Sequence, residues 1–259
     1  MRSVGVDKES GRGPLRDDAG VAKYRHEAIA AVLQVRVDPV TGAMVLSVLA
    51  TRRRRAPYAR QWALPSGPVE VDETIGQSAR RHLAAKVDLA EVAHLEQLET
   101  LSDPGRDPYD RTIATAYVGL VPWTSDPALP AAAGWLAVDA LPAMAFDHAA
   151  VVRHAVARMR AKLSYTNIGF ALAPEEFTMA QLRDAYAAAL GHEVNATNLQ
   201  RILVRRGQLV ATGSLSVPGS AGGRPGKVFR FATRGLTVTD PFATLRPAGA
   251  AGHGAAPGD

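Results

Sequence analysis

Cysteine is absent from the 259-residue chain, which excludes disulfides and cysteine-ligated zinc sites. Long apolar runs are missing as well. No stretch approaches the roughly eighteen residues needed to cross a bilayer, yet 47% of the residues are apolar, enough for packed cores. The first twenty residues (MRSVGVDKESGRGPLRDDAG) hold no apolar segment of the signal-peptide kind, so a cytoplasmic protein with no membrane partner is expected. No internal repeat is visible.

Acidic residues are scarce in one part of the chain. Residues 151–236 hold 12 Lys and Arg against 4 Asp and Glu, a local charge of +8, whereas the remainder holds 18 against 21, or −3. Such a concentration points either to a polyanionic partner or to a solvated basic surface.

Polar, Gly-rich residues 1–22 and the Pro/Ala/Gly-rich residues 237–259 are expected to be disordered tails. Between them, EAIAAVLQVRV and AMVLSVLAT are two Val/Ile/Leu-rich runs separated by the turn residues DPVTG, which predicts a hairpin or neighbouring strands. QWALPSG continues as a strand end or loop. Residues 73–87 predict a helix, with Ile75, Ala79, Leu83 and Val87 recurring every fourth position. HLEQLETL and TIATAYVGLVPW predict further strands, so residues 23–146 read as an α/β domain. Residues 147–164 predict a linking helix.

A second domain is expected over 165–236. Thr178 and Gln181 have capping-box spacing, Phe177 and Leu182 have hydrophobic-staple spacing, and Gly191 supplies a stop. A second helix runs from the cap Asn195 to Gly207, followed by two short strands, QLVAT and KVFRFA, around a Gly-rich loop. Helix, turn, helix and β-hairpin is the order of a winged helix-turn-helix.

Two constellations carry the chemistry. The first is the segment GPVEVDETIGQSARRHLAAKVDL, residues 67–89. Glutamates three and four apart on a helix share one face and can converge on Mg²⁺, which then polarises a diphosphate and activates water. Gly67, Glu73, Arg81, Leu83 and Leu89 resemble the Nudix box, G-x5-E-x7-R-E-U-x-E-E-x-G-U, where U is a bulky aliphatic residue. His82, Ala85 and Lys86 stand where the box has glutamates, and Asp88 where it has its second glycine. An ammonium at Lys86 would repel a metal ion by a few kcal/mol at about 4 Å. No metal site and no catalytic residue is therefore expected. Glu70 matches a glutamate often found before the box's first glutamate, and Glu73 with Arg81 would fix the loop ahead of the helix by a salt bridge. Trp62 would pack either against a nucleotide or in the core. Arg106 would meet either a phosphate or water from the loop 103–111, which also carries Asp107. Of the run Arg52 to Arg55, Arg53 is the candidate to face a ligand.

The second constellation is basic. Leu199, Ile202 and Leu203 make the buried stripe of the second helix, and Asn198, Arg201 and Arg205 lie on another face. Asn pairs with adenine and Arg with guanine in the major groove. Thr197, at the helix start, would reach a phosphate or base. Arg224 and Lys227 are expected on the flexible tip of the loop GSAGGRPGK, suited to the minor groove or backbone.

The two parts together resemble the NrtR family, the Nudix-related transcriptional regulators of bacterial NAD metabolism, over about residues 25–233. Beyond the box, the resemblance is carried by LEQLETLSDPGRDPYDRTIATAYVGLVP, FDHAAVV, YTNIGFALAPEEFTMAQLRDAYAAALG, NLQRIL and GGRPGKVFRF. LPSG in place of LPGG, and Tyr109 where the family often has arginine, are departures. The resemblance implies an α+β Nudix-like sandwich with a C-terminal winged helix-turn-helix. It also implies a homodimeric repressor on a palindromic double-stranded DNA operator near NAD biosynthesis or salvage genes. The implied effector, with no cofactor, is ADP-ribose or a related nucleotide, which binds the first domain and releases DNA. The alternative is a Nudix-type ADP-ribose pyrophosphatase using Glu70, Glu73 and Glu99 as replacement ligands.

Overall fold

The computed structural model describes residues 16–216 and 225–240. They divide into two compact units, one drawn from residues 16–33, 47–120 and 126–155, the other from residues 34–46, 121–125 and the described residues from 156 onward.

The central strand is β1 (Arg25–Val37), in which Ala28 to Leu33 and Val35 are wholly buried. An unbroken apolar run of this kind is what a strand covered on both faces requires. β1 lies between β2 (Met44–Arg52) and β6 (Thr112–Leu120), pairing with β6 in parallel, and β5 (His94–Leu101) extends the sheet antiparallel to β6. The short strands β3 (Trp62–Ala63) and β7 (Ala133–Ala137) pair with β2, and β4 (Ser66–Pro68) pairs antiparallel with β1, placing Gly67 opposite Ala28. The two apolar runs around DPVTG are therefore neighbouring strands, as expected.

Helix α1 (Ile75–Val87) packs beside β4 and β6. It starts two residues later than the periodicity suggests, because Thr74 is its N-cap and forms a capping box with Gln77. Ala79, Leu83 and Val87 are buried as expected, Ile75 is only half-buried, and Ser78 and His82 join the inner face. At the other end Asp88 takes the left-handed conformation (φ 52°), the one helix-ending glycines adopt. Aspartate tolerates that region better than most residues.

Helix α2 (His148–Tyr165) matches the expected linking helix. In the second unit, α3 (Met179–Leu190) and α4 (Ala196–Arg205) are followed by β9 (Leu209–Leu215) and β10 (Lys227–Phe231). The Thr178–Gln181 capping box, the Asn195 cap and the left-handed Gly191 and Gly207 are all in place. Phe177 and Leu182 are both buried. A third strand, β8 (Phe177–Thr178), pairs with β10, completing a three-stranded sheet behind the helices. No helix among the described residues is long and apolar enough to cross a membrane.

Candidate functional site

Pro68, at the end of β4, organises the start of the Nudix-like segment. Its carbonyl accepts from Arg81 Nη2 at 3.0 Å, Ser78 Oγ at 3.2 Å and His82 Nε2 at 3.0 Å. Arg81 also grips Glu73 in bidentate fashion, Nε to Oε2 at 2.9 Å and Nη2 to Oε1 at 2.5 Å. Glu73 in turn accepts from the Glu70 amide at 2.8 Å. Arg81, first among these partners, holds the Glu73 carboxyl down at about 2. The salt bridge expected from the sequence is thus present, and it closes the loop from Pro68 to Glu73. Glu70 is exposed and contributes its backbone here.

His82 fills the space that the absent side chain of Gly67 leaves: a Cβ on Gly67 would lie 2.3 Å from His82 Cε1. Burial, helped by Lys86 and Arg81, pushes the imidazole below its ordinary pKa. Nε2 is the donor to Pro68, since a carbonyl oxygen can only accept. A residue standing at a box glutamate position therefore does structural work in this chain.

Ala85 and Lys86, the other replacements, line a cavity of about 570 Å³ together with Arg25, Thr51, Arg52, Arg53, Arg54, Arg55, Ala63, Leu64, Ser66, Pro130 and Ala132. Six of these side chains are cationic and none is a carboxylate. The Lys86 ammonium donates a short hydrogen bond to the Ser66 carbonyl. Burial lowers its pKa from the ordinary lysine value; Glu27 works against the shift, and Arg53, Arg25 and Arg81 add to it.

Arg53 is held in place on the cavity wall. Its Nε donates to the Pro57 carbonyl at 2.8 Å, and its guanidinium lies 4.6 Å from the Phe146 ring centroid. Beneath, His148 is fully buried and neutral, its pKa pushed down to about 4 by burial, and its Nδ1 accepts from the Leu64 amide at 2.9 Å. The ring thereby fixes Leu64, a cavity-wall residue.

Other expected ligand residues have protein partners. Trp62 carries the Arg52 guanidinium 4.4 Å from its ring. Arg106 does not meet solvent from its loop. Only 4% of its side chain is exposed, and Nε and Nη2 each lie 3.0 Å from an oxygen of Asp147. The solvated loop arginine weighed as the alternative is therefore not what is found, since the Nε–Nη2 edge is engaged by Asp147. Asp107 accepts from the Tyr109 amide and shapes its own turn. The structure thus brings Arg53, Ala85 and Lys86 to one cavity and leaves Trp62, Glu70, Glu73, Arg81, Arg106 and Asp107 outside its lining. Arg25 carries no signal in the sequence; its place on the cavity wall follows from pairing of β1 with distant strands, which no local pattern encodes.

In the second unit Leu199 and Leu203 are buried, while Thr197, Asn198, Arg201 and Arg205 are exposed on α4. Arg201 Nη2 donates to Asn198 Oδ1 at 2.8 Å, which aligns the two side chains on one face. The neighbouring Arg206 points elsewhere, donating to the Ser164 carbonyl and to Asp240, both at 2.7 Å. Lys227 is exposed but is the first residue of β10, paired with Leu215, and not part of a loop tip. Strand pairing reaches further toward the turn than the glycine content suggests. Arg224 lies outside the described residues.

Comparison with known proteins matches residues 26–158, just over half the chain, to the NUDIX domain family, and residues 169–231 to the NrtR DNA-binding winged helix domain. The chain is similar to the ADPR responsive transcriptional repressor NtrR of Acinetobacter baylyi, with 28% identity over 194 residues, 72% of this chain and 76% of that one. Among solved structures it resembles NrtR of Shewanella oneidensis, with a TM-score of 0.68 and 23% identity over 80% of this chain and 93% of that one. The same protein complexed with a 27mer DNA gives a TM-score of 0.65 at 24% identity, over 79% of this chain and 92% of that one. The chain belongs to the Nudix family, in the arrangement that places an NrtR-type DNA-binding winged helix after the Nudix domain.

Proposed function

We propose that this chain is a transcriptional repressor that binds operator DNA through its winged helix and is released by ADP-ribose, or a related NAD-derived nucleotide, held in its Nudix domain. One observation carries the reading: a Nudix cavity walled by arginines and a lysine occurs in the same chain as an exposed Asn198–Arg201–Arg205 face on a winged-helix recognition helix. The Acinetobacter relative is described as ADPR-responsive and a repressor, and the Shewanella protein as bound to DNA, which supports the assignment. By extension the operator is palindromic, lies near NAD biosynthesis or salvage genes, and is bound by a homodimer.

The chain acts as a sensor, not a hydrolase. A Nudix enzyme needs a divalent cation on the helix face that here presents Ala85 and Lys86, and these residues do not fit one: an alanine has no ligand atom and an ammonium repels the ion. The replacement carboxylates do not converge either, since Glu73 is committed to Arg81 and Glu99 to His154 at 2.6 Å. Loss of turnover preserves the signal. A nucleotide that binds the DNA-free state better by only about 1–3 kcal/mol suffices for regulation.

Gel shifts with the upstream region of the chain's own operon test the proposal. A specific complex that ADP-ribose dissolves and NAD does not is expected. Robust release of AMP from ADP-ribose with Mg²⁺ or Mn²⁺, abolished by Glu73→Gln, would overturn the sensor assignment.

A further inference from the structure

Binding a diphosphate in a Nudix pocket without carboxylates poses a charge problem: something must do what the metal does elsewhere. The geometry points to Lys86, backed by Arg53 and Arg25, as the cation that receives the diphosphate, so that the ligand binds without any divalent metal. The inference rests on reading the cavity as a nucleotide pocket, and goes beyond it by assigning the contact and its metal independence.

Several observations converge on Lys86. It stands at a box glutamate position, so its side chain extends from the helix face where a metal would otherwise gather. It lines the cavity. An ammonium has three N–H donors, and one is spent on the Ser66 carbonyl. That bond anchors the nitrogen and leaves two donors for a ligand. A compact, strongly hydrated point charge also resembles a small metal ion more closely than a flat guanidinium does.

The surroundings supply the rest of the charge. Arg53 is fixed by Pro57 and Phe146 through Nε and its ring face, and no partner for its Nη atoms is seen among the described residues. Arg25 is partly offset by Glu27, 2.7 Å away, a carboxylate that also favours the charged form of Lys86. Glu27 does not line the cavity, so it supports the ammonium without competing for the ligand. Crowded like charges repel one another until an anion arrives, and two adjacent phosphates bring opposite charge to the same place. The cavity volume of about 570 Å³ lies inside the range of roughly 300–1,000 Å³ typical of small-molecule sites.

Calorimetric titration of the full chain with ADP-ribose and, separately, ADP, each in EDTA and in excess Mg²⁺, tests this. Affinity in EDTA should match that in Mg²⁺. Lys86→Gln should weaken binding about tenfold or more, the loss expected for a charge-assisted contact, and Lys86→Arg, which keeps the charge but not its compact shape, should lose less than Lys86→Gln. Because Lys86 also anchors Ser66, melting curves of both variants accompany the titrations, and the EDTA comparison on the unaltered chain stands independently of them. Binding that vanishes in EDTA and returns with Mg²⁺ would overturn the inference and leave the repressor assignment standing. So would a folded Lys86→Gln variant that binds like the parent. Metal-free binding of ADP without binding of ADP-ribose would uphold Lys86 and sink the proposed effector. Failure of both ligands to bind under either condition would sink both.

Discussion

Arg81 and Glu73 share two hydrogen bonds across the first turns of the Nudix helix, and through them the loop from Pro68 to Glu73 is tied to α1. The carboxylate ahead of the helix is thus held by an arginine of the helix that follows it. Its pKa of about 2 in the folded chain, against 4.5 ordinarily, gives this contact a pH signature. A depressed folded pKa contributes stability that is present above the unfolded value and is lost as pH falls toward the folded one. Glu73→Gln should therefore lower the melting temperature at pH 7, and the gap between variant and parent should close between pH 4.5 and about 2. Melting temperature against pH measures it; a gap that persists at the acid end would show that the contact is not ionic.

Arg106 is expected to matter for stability. Its pair with Asp147 joins residues far apart in sequence, with almost none of the arginine exposed. Removing one member of a buried pair costs about 3–5 kcal/mol, and the partial exposure of Asp147 (26%) moves the expectation to the lower end of that range. Urea unfolding of Arg106→Ala without any nucleotide should show this loss. An unchanged midpoint would mean that the arginine serves a ligand.

Gly67 and His82 are predicted to be coupled. Gly67→Ala drives a methyl group into the imidazole, whose nearest atom would be 2.3 Å away, and overpacking of this kind costs roughly 1–3 kcal/mol. His82→Ala removes the obstruction along with the bond to Pro68. In a double-mutant cycle the two changes together should cost less than the sum of each alone. Simple additivity would contradict the packing described.

These contacts mark the boundary of what the sequence made legible. Caps, stops and apolar recurrences are local, so Thr178 with Gln181, Asn195, Gly191 and the buried Leu199 and Leu203 of α4 were readable from neighbours within four residues, whereas Ile202, expected in the same stripe, is only half-buried. The apolar rhythm places the helix start two residues early, because Thr74 sets it at Ile75. β8 escaped notice because a two-residue strand has no period. The site was legible only in part. The odd residues His82, Ala85 and Lys86 stood out against the box pattern, but what each touches did not. Lys86 meets a carbonyl twenty positions away and Arg106 a carboxylate forty-one away, both set by tertiary folding.

On α4, adjacent arginines should behave differently. Arg205→Ala and Arg201→Ala, on the exposed face, should weaken operator binding by about 1–3 kcal/mol where a base contact is lost, or reduce the salt slope by about 1 where a phosphate contact is lost. Arg206→Ala should chiefly lower stability, since its guanidinium is bonded to Ser164 and Asp240. Fluorescence anisotropy on labelled operator, paired with melting curves, separates the two effects. Equal DNA-binding losses with no change in melting for all three would overturn the assignment of faces.

The most direct measurement is a DNA-binding titration of the full chain on its own upstream region, with and without saturating ADP-ribose and with NAD as control. A specific complex is expected whose affinity drops about 5- to 150-fold with ADP-ribose, the usual span of allosteric coupling, and is unmoved by NAD. Equal affinity in the presence and absence of ADP-ribose would contradict it.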